Sequence, residues 1–267
     1  MRIAEEIVVE VRHLDAGYGE RQILRDVSFT VHRGEILCLI GGSGCGKSTV
    51  IRTLVGLLTP WSGEVRVFGQ DPHALEDEAR IPFLRRIGML FQNGALLGSL
   101  TVGDNIGLPY HEHTSLPDAV IRRIVESKLA LVGLPQASSL MPSELSGGMR
   151  KRASLSRAMV MDPDLLLCDE PSAGLDPIVA AGIDVTLRHL QRTLGTTLLV
   201  VTHELSSVAL IADRVVMMET GQVLAIGTVE ELRKSDNPKV RDFFARKPPE
   251  EAAPAGKSLL QALEEGL

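Results

Sequence analysis

The residues best equipped to do chemistry gather in a few short segments. GGSGCGKST, from Gly41 to Thr49, fits the pattern G-x-x-x-x-G-K-[ST] through Gly41, Gly46, Lys47 and Ser48. In such a loop Gly41, Gly42, Ser43, Gly44, Cys45 and Gly46 let successive backbone N–H groups curve around phosphate oxygens. Lys47 would then reach the outer phosphates and Ser48 would ligate Mg2+, with Thr49 in the first turn of a helix whose N-terminus favours anions. LLLCDE, from Leu165 to Glu170, places two adjacent carboxylates at the carboxyl end of an aliphatic strand, where open α/β sheets bind ligands. Asp169 suits the metal shell and Glu170 suits polarisation of an attacking water. LSGGM, from Leu145 to Met149, offers a serine cap and free N–H groups at a helix start, a second place for an anion.

These segments need a scaffold, and the hydrophobic pattern supplies one. Apolar runs at Ile7–Arg12, Val27–Val31, Ile36–Ile40, Val65–Phe68, Ile87–Phe91, Leu165–Cys168, Leu198–Val201 and Val215–Met218 read as strands. Helical patterns cover Lys47–Leu57, Met149–Met159, Ile178–Arg192 and Glu204–Ile211. Continuous apolar strands separated by helices predict an α/β protein with a parallel sheet covered on both faces. The stretch from Asn93 to Glu144 breaks this rhythm with Pro109, Pro117, Pro135 and Pro142, and carries a helical pattern over Asp118–Val132. It reads as a helical insertion. From Lys247 the composition changes to a linker, KPPEEAAPAGK, followed by SLLQALEEGL.

Length and composition narrow the possibilities. A chain of 267 residues with 44% hydrophobic and only 3% aromatic residues builds one α/β domain with an aliphatic core. A net charge of −6 argues against broad electrostatic binding, so nucleic acid is not an expected partner. The cysteines Cys38, Cys45 and Cys168 are odd in number, and Cys38 and Cys168 sit in strand-like runs, which favours a reducing compartment over a disulfide framework. The N-terminus lacks the pattern of a signal peptide, and no apolar run approaches the ~18 residues of a membrane span. Work at a membrane would therefore require another subunit to cross it.

The segments in their order resemble the ATP-binding cassette (ABC) ATPases. LSGGM followed by RKRASLSRAM, then DEPSAGLDP from Asp169 to Pro177, and a lone His203 after a strand carry the resemblance, which spans roughly Ile7 to Phe244. It implies a phosphate-loop core with a parallel sheet, an antiparallel β subdomain and an inserted helical subdomain. The implied boundaries are one ABC domain over 1–245, its helical subdomain at about 93–160, and a linker with a short amphipathic helix over 246–267. The implied cofactors are ATP and Mg2+. The implied roles place Tyr18 against adenine, Gln92 as a sensor and ligand of Mg2+ and γ-phosphate, and His203 on the γ-phosphate. They also place Ser146, Gly147 and Gly148 of one copy on the γ-phosphate held by a second copy, with Asp176 communicating across the dimer. Two ATP molecules would then be held head-to-tail by a homodimer.

A narrower resemblance lies in LFQNGALLGSLTVGDNI and LMPSELSGGMRKRASLSRAM, which are similar to the ATPases of Mla-type (maintenance of lipid asymmetry) and Mce-type lipid transporters. Met149, where ABC ATPases commonly carry Gln, fits that branch. It implies phospholipid movement between bacterial membranes, driven from the cytoplasmic face of the inner membrane. The implied partners are permease subunits, an Mce-domain substrate-binding protein and often a small STAS-domain subunit. ATPases of non-lipid importers and soluble ABC regulators are the other readings. Leu96, Leu97 and Leu100 are expected either to line the groove for a permease helix or to pack inside the subdomain. In the tail, Leu259, Leu260, Leu263 and Leu267 share one helical face. Burying them gives about 6–12 kcal/mol, against about 10–20 kcal/mol to order the segment. The tail is therefore expected to dock on the neighbouring ATPase or an accessory subunit, or else to remain a frayed terminus.

Overall fold

The computed structural model describes residues 6–245. Two sheets form. β1 (Ile7–Tyr18) pairs with β2 (Arg21–His32) on one side and β4 (Ser62–Val67) on the other, both antiparallel. The second sheet runs in the order β5 (Ile87–Leu90), β6 (Leu165–Asp169), β7 (Thr197–Thr202), β3 (Ile36–Gly41) and β8 (Arg214–Glu219), all parallel, and ends with β9 (Gln222–Gly227) antiparallel to β8.

The period of two along each parallel strand divides its residues between two cores. Leu37, Leu39, Leu165, Leu167, Leu199, Val201, Val216 and Met218 face one core, shared with the antiparallel sheet and with Val50, Ile51 and Leu54 of α1 (Lys47–Leu54). Ile36, Cys38, Ile40, Leu166, Cys168, Leu198, Val200, Val215 and Met217 face the other. Covered on both faces, these strands have no solvent side to encode, which is why they read as unbroken apolar runs. Burial pushes the Cys38 and Cys168 thiols far up, so both behave as small apolar side chains.

The second core also takes in the stretch 93–160. There α3 (Val102–His113), α4 (Asp118–Leu131) and α5 (Gly147–Ala158) contribute Ile106, Val125, Leu129 and Leu155. Fully buried Asn105 on α3 pins the preceding loop. Its Oδ1 accepts from Leu97 N at 2.7 Å, and its Nδ2 donates to Leu97 O, Leu100 O and Thr101 O at 3.0, 3.2 and 2.9 Å. The remaining helices are α2 (Asp77–Arg85), α6 (Pro177–Leu194), α7 (Leu205–Ile211), α8 (Val229–Arg233) and α9 (Pro238–Phe244).

Several boundaries differ from the sequence reading. β1 and β2 extend into a long hairpin, and β9, α2, α8 and α9 had no counterpart in it. α1 stops before Leu57, because the chain closes through a turn at Gly56 in which Leu57 N bonds back to Arg52 O at 2.9 Å. No helix among the described residues is long and apolar enough to cross a membrane. Leu259, Leu260, Leu263 and Leu267 lie outside the described residues.

Candidate nucleotide site

β3 delivers the glycine-rich loop to the carboxyl end of the parallel sheet, and α1 begins directly after it. Gly46 stands just ahead of α1 at φ +104°, and a Cβ there would lie 2.5 Å from Leu24 Cδ2, so both the turn and the packing call for glycine. Lys47 is buried, with Nζ donating to Gly41 O at 2.8 Å and Gly42 O at 3.0 Å. Ser48 Oγ donates to Asp169 Oδ1 at 3.4 Å, which brings the loop and the end of β6 together. Burial raises the Asp169 carboxyl, the Ser48 hydrogen bond lowers it, neighbouring Glu170 raises it, and Lys47 and Arg52 lower it.

Glu170 occupies the left-handed region at φ +50°, an uncommon conformation for a non-glycine residue, and its N–H donates to Val201 O at 2.9 Å. The residue is 9% exposed, and its side chain is paired through Oε1 with His203 Nδ1 at 2.8 Å. The other oxygen, Oε2, is buried without a hydrogen-bond partner. A buried, half-satisfied carboxyl group in a cleft is suited to engage a reacting water.

A cleft of about 920 Å³ lies over these groups. Tyr18, Gly41, Gly42, Ser43, Gly44, Gly46, Lys47, Ser48, Thr49, Gln92, Asp169, Glu170 and His203, all singled out from the sequence, line it together. Tyr18 is 43% exposed, and its hydroxyl accepts from Arg52 Nη1 at 2.7 Å. Cys45 does not line the cleft: it is buried beneath the loop, with Sγ 3.8 Å from Lys47 Nζ. Arg21, Ile23, Val201 and Phe243 line the cleft as well and were not expected. Arg21 and Ile23 come from the hairpin that follows Tyr18, and Phe243 comes from α9, whose residues carry no functional motif.

Ser146, Gly147, Gly148 and Asp176 are not among the residues lining that cleft. Ser146 caps α5, its Oγ accepting from Met149 N at 3.3 Å. Asp176 caps α6, its Oδ1 accepting from Ile178 N and Val179 N at 3.1 Å each. The two helix starts touch, and a Cβ at Gly148 would lie 2.5 Å from Val179 Cγ1. The backbone N–H groups at the α5 start thus lie beside the Asp176 turn.

The donor chemistry fits a nucleotide with Mg2+. Ser48 hydroxyl, Asp169 carboxylate and Gln92 amide are hard oxygen donors. Such a sparse set suits an ion that keeps waters and phosphates in its shell. Among the described residues no group of three or more His, Cys, Asp or Glu could cage a metal instead. The family model for ABC transporters matches residues 24–173.

The chain belongs to the ABC transporter ATP-binding family. It is 41% identical to the intermembrane phospholipid transport system ATP-binding protein MlaF of Haemophilus influenzae over 89% of this chain and 90% of that protein. It is 38% identical to MlaF of Escherichia coli K12 over 89% and 88% of the respective chains. It is also 39% identical to the probable ribonucleotide transport ATP-binding protein mkl of Mycobacterium tuberculosis, over 89% of this chain and 66% of that one. Among solved structures, the dimeric post-hydrolysis state of the cassette MJ0796 bound to ADP and Pi superposes with a TM-score of 0.76 at 27% identity, over 83% of this chain and 98% of that one. The cassette cbiO1 of Clostridium perfringens superposes with a TM-score of 0.78 at 28% identity, over 91% and 99%. As an ABC ATPase, the chain binds and hydrolyses ATP.

Proposed function

We propose that this ABC ATPase works as a homodimer closed head-to-tail on two ATP–Mg2+ and powers a bacterial inner-membrane transporter that moves phospholipids between the inner and outer membranes. The observation that carries the dimer is the division of the site. Tyr18, the phosphate loop, Gln92, Asp169, Glu170 and His203 converge on one cleft, while the Ser146 and Asp176 caps lie outside it. A second copy supplies the missing half.

Within each site Lys47 exchanges its bonds to Gly41 O and Gly42 O for phosphate oxygens. Ser48, Asp169 and Gln92 would hold Mg2+, which when bound would neutralise charge on the phosphates. Glu170 polarises the attacking water, and His203 orients Glu170 and contacts the γ-phosphate. Tyr18 stacks on adenine. The partner's Ser146–Gly148 segment contributes backbone N–H groups to the γ-phosphate. Catalysis is mostly positioning and charge stabilisation, and loss of the γ-phosphate releases the dimer.

Phospholipid as cargo is supported by the near full-length similarity to MlaF and by Met149 in the LSGGM segment. On this reading the chain sits peripherally on the cytoplasmic face, with permease subunits, an Mce-domain protein and a small STAS-domain subunit. An apolar groove of about 410 Å³, lined by Ile81, Leu84, Met89, Phe91, Leu108 and Met161 among others, receives the permease. Leu96, Leu97 and Leu100 do not line it: Leu96 packs on the core, while Leu97 is 46% exposed in the loop whose main chain Asn105 holds. Purification with native membrane partners, followed by lipid mass spectrometry, tests the assignment. Phospholipid bound to a complex containing a permease and an Mce-domain protein is the expected result. A ribonucleotide or other small solute carried by the complex, or absence of any membrane partner, overturns it.

A further inference from the structure

We infer that Lys151 is a positioning residue that ties the helix beginning at Ser146 to Gln92 and Glu170, the residues read above as acting on Mg2+ and water. The inference rests on that reading. Lys151 is only 8% exposed, on a helix whose sequence, RKRASLSR, looks solvent-facing. Its Nζ donates to Glu170 O at 3.0 Å and to Gln92 O through a short hydrogen bond. One ammonium group therefore holds the main chain of both residues.

The placement has a cost that an apolar side chain would avoid. Burial works against the Lys151 charge, while the Glu170 and Asp169 carboxylates nearby favour it. The Glu170 backbone is itself in the left-handed region, a conformation that persists only where its surroundings enforce it. Lys151 provides that enforcement from the carbonyl side, and Val201 provides it from the N–H side. Six residues further along α5, Arg157 also holds this loop, donating to Gly94 O at 3.1 Å and Ala95 O at 2.7 Å. The loop from Gln92 to Ala95 is thus fastened to α5 at two points. Because the same helix starts at Ser146–Gly148, its engagement with the partner's nucleotide bears on Gln92 and Glu170 of its own chain.

The test uses full-length protein and separates turnover from binding. Lys151→Met is expected to lower kcat for ATP on the order of 100-fold, the effect of a small misplacement of reacting groups, with KM within about threefold of wild type. In a Glu170→Gln background, measured by single turnover, the same change is expected to cost about tenfold or less, because the carboxylate is already gone and only the hold on Gln92 remains to be lost. Lys151→Arg, which keeps the charge and both donations, is expected to recover most of the loss. Normal turnover in Lys151→Met, or an undiminished loss in the Glu170→Gln background, overturns the inference. Should Lys151→Met not fold, Lys151→Gln provides the same comparison, and failure of both to fold assigns Lys151 to the core and overturns it as well. Normal turnover in Glu170→Gln alone would instead remove the reading of Glu170.

Discussion

The contact between the starts of α5 and α6 makes Gly148→Ala a sharp test of how the second half-site is built. The added Cβ would stand 2.5 Å from Val179 Cγ1, about 1 Å inside ordinary carbon–carbon contact. Val179 has little freedom to yield. It is β-branched, so one rotamer dominates in a helix, and its own N–H is held by Asp176 Oδ1 at 3.1 Å. The overlap is therefore relieved by strain of about 1–3 kcal/mol or by displacing the Ser146 turn. A displacement near 1 Å at a reacting site costs rate on the order of 100-fold. Steady-state ATPase assays of the full-length variant are expected to show a loss between about 10-fold and 100-fold. ATP affinity of the single chain should stay within about threefold of wild type, because the cleft that holds the loop does not include Gly148. Val179→Ala, which deletes the clashing methyl group, is expected to restore most of the activity. Full activity in Gly148→Ala, or no recovery in Gly148→Ala/Val179→Ala, refutes this account of the α5–α6 junction.

Three further outcomes follow from the geometry. Glu170→Gln keeps the size of the side chain and an oxygen for His203 Nδ1, so phosphate release is expected to fall about 100-fold or more while ATP binding and ATP-dependent dimerisation persist; near-normal turnover refutes the role. Cys45 belongs to the phosphate loop and its thiol is buried beneath it, so an alkyl group there would displace the loop and is expected to abolish ATP affinity; confirmed modification with unchanged affinity contradicts that. Burial raises the Asp184 carboxyl above its ordinary 3.8, a Ser207 hydrogen bond lowers it, and Glu204 raises it. The folded state therefore binds the proton more tightly than the unfolded one, and the associated stability declines as pH rises above 3.8 toward the raised value. Thermal melts of Asp184→Asn should accordingly shift in favour of the variant, relative to wild type, as pH increases through that window; a pH-independent difference refutes it.

The parallel strands were legible because each is apolar on both faces, and β-branched or aliphatic residues end at Gly, Asp or Pro. β9 escaped notice because only its antiparallel pairing with β8 makes QVLAIG a strand, and its residues are mostly half-buried. The phosphate loop and the β6 carboxylates were legible from local patterns, since each motif is contiguous in the chain. Arg21, Ile23 and Phe243 were not, because they reach the cleft only through folding of the hairpin and of α9. Lys151 was hidden for a different reason. Its partners are main-chain carbonyls, which leave no trace in the sequence, so a buried cation on α5 looks like a solvated one.

The helices of 93–160 share their apolar core with the parallel sheet: Ile106, Val125 and Leu129 belong to the same packed cluster as Ile36, Cys38 and Ile40. Such continuity predicts that this region unfolds with the sheet as one cooperative unit. Its slowest amide protons are expected to exchange with deuterium together with those of the sheet, and transplanting 93–160 into another cassette would require its buried counterparts on the sheet to travel with it.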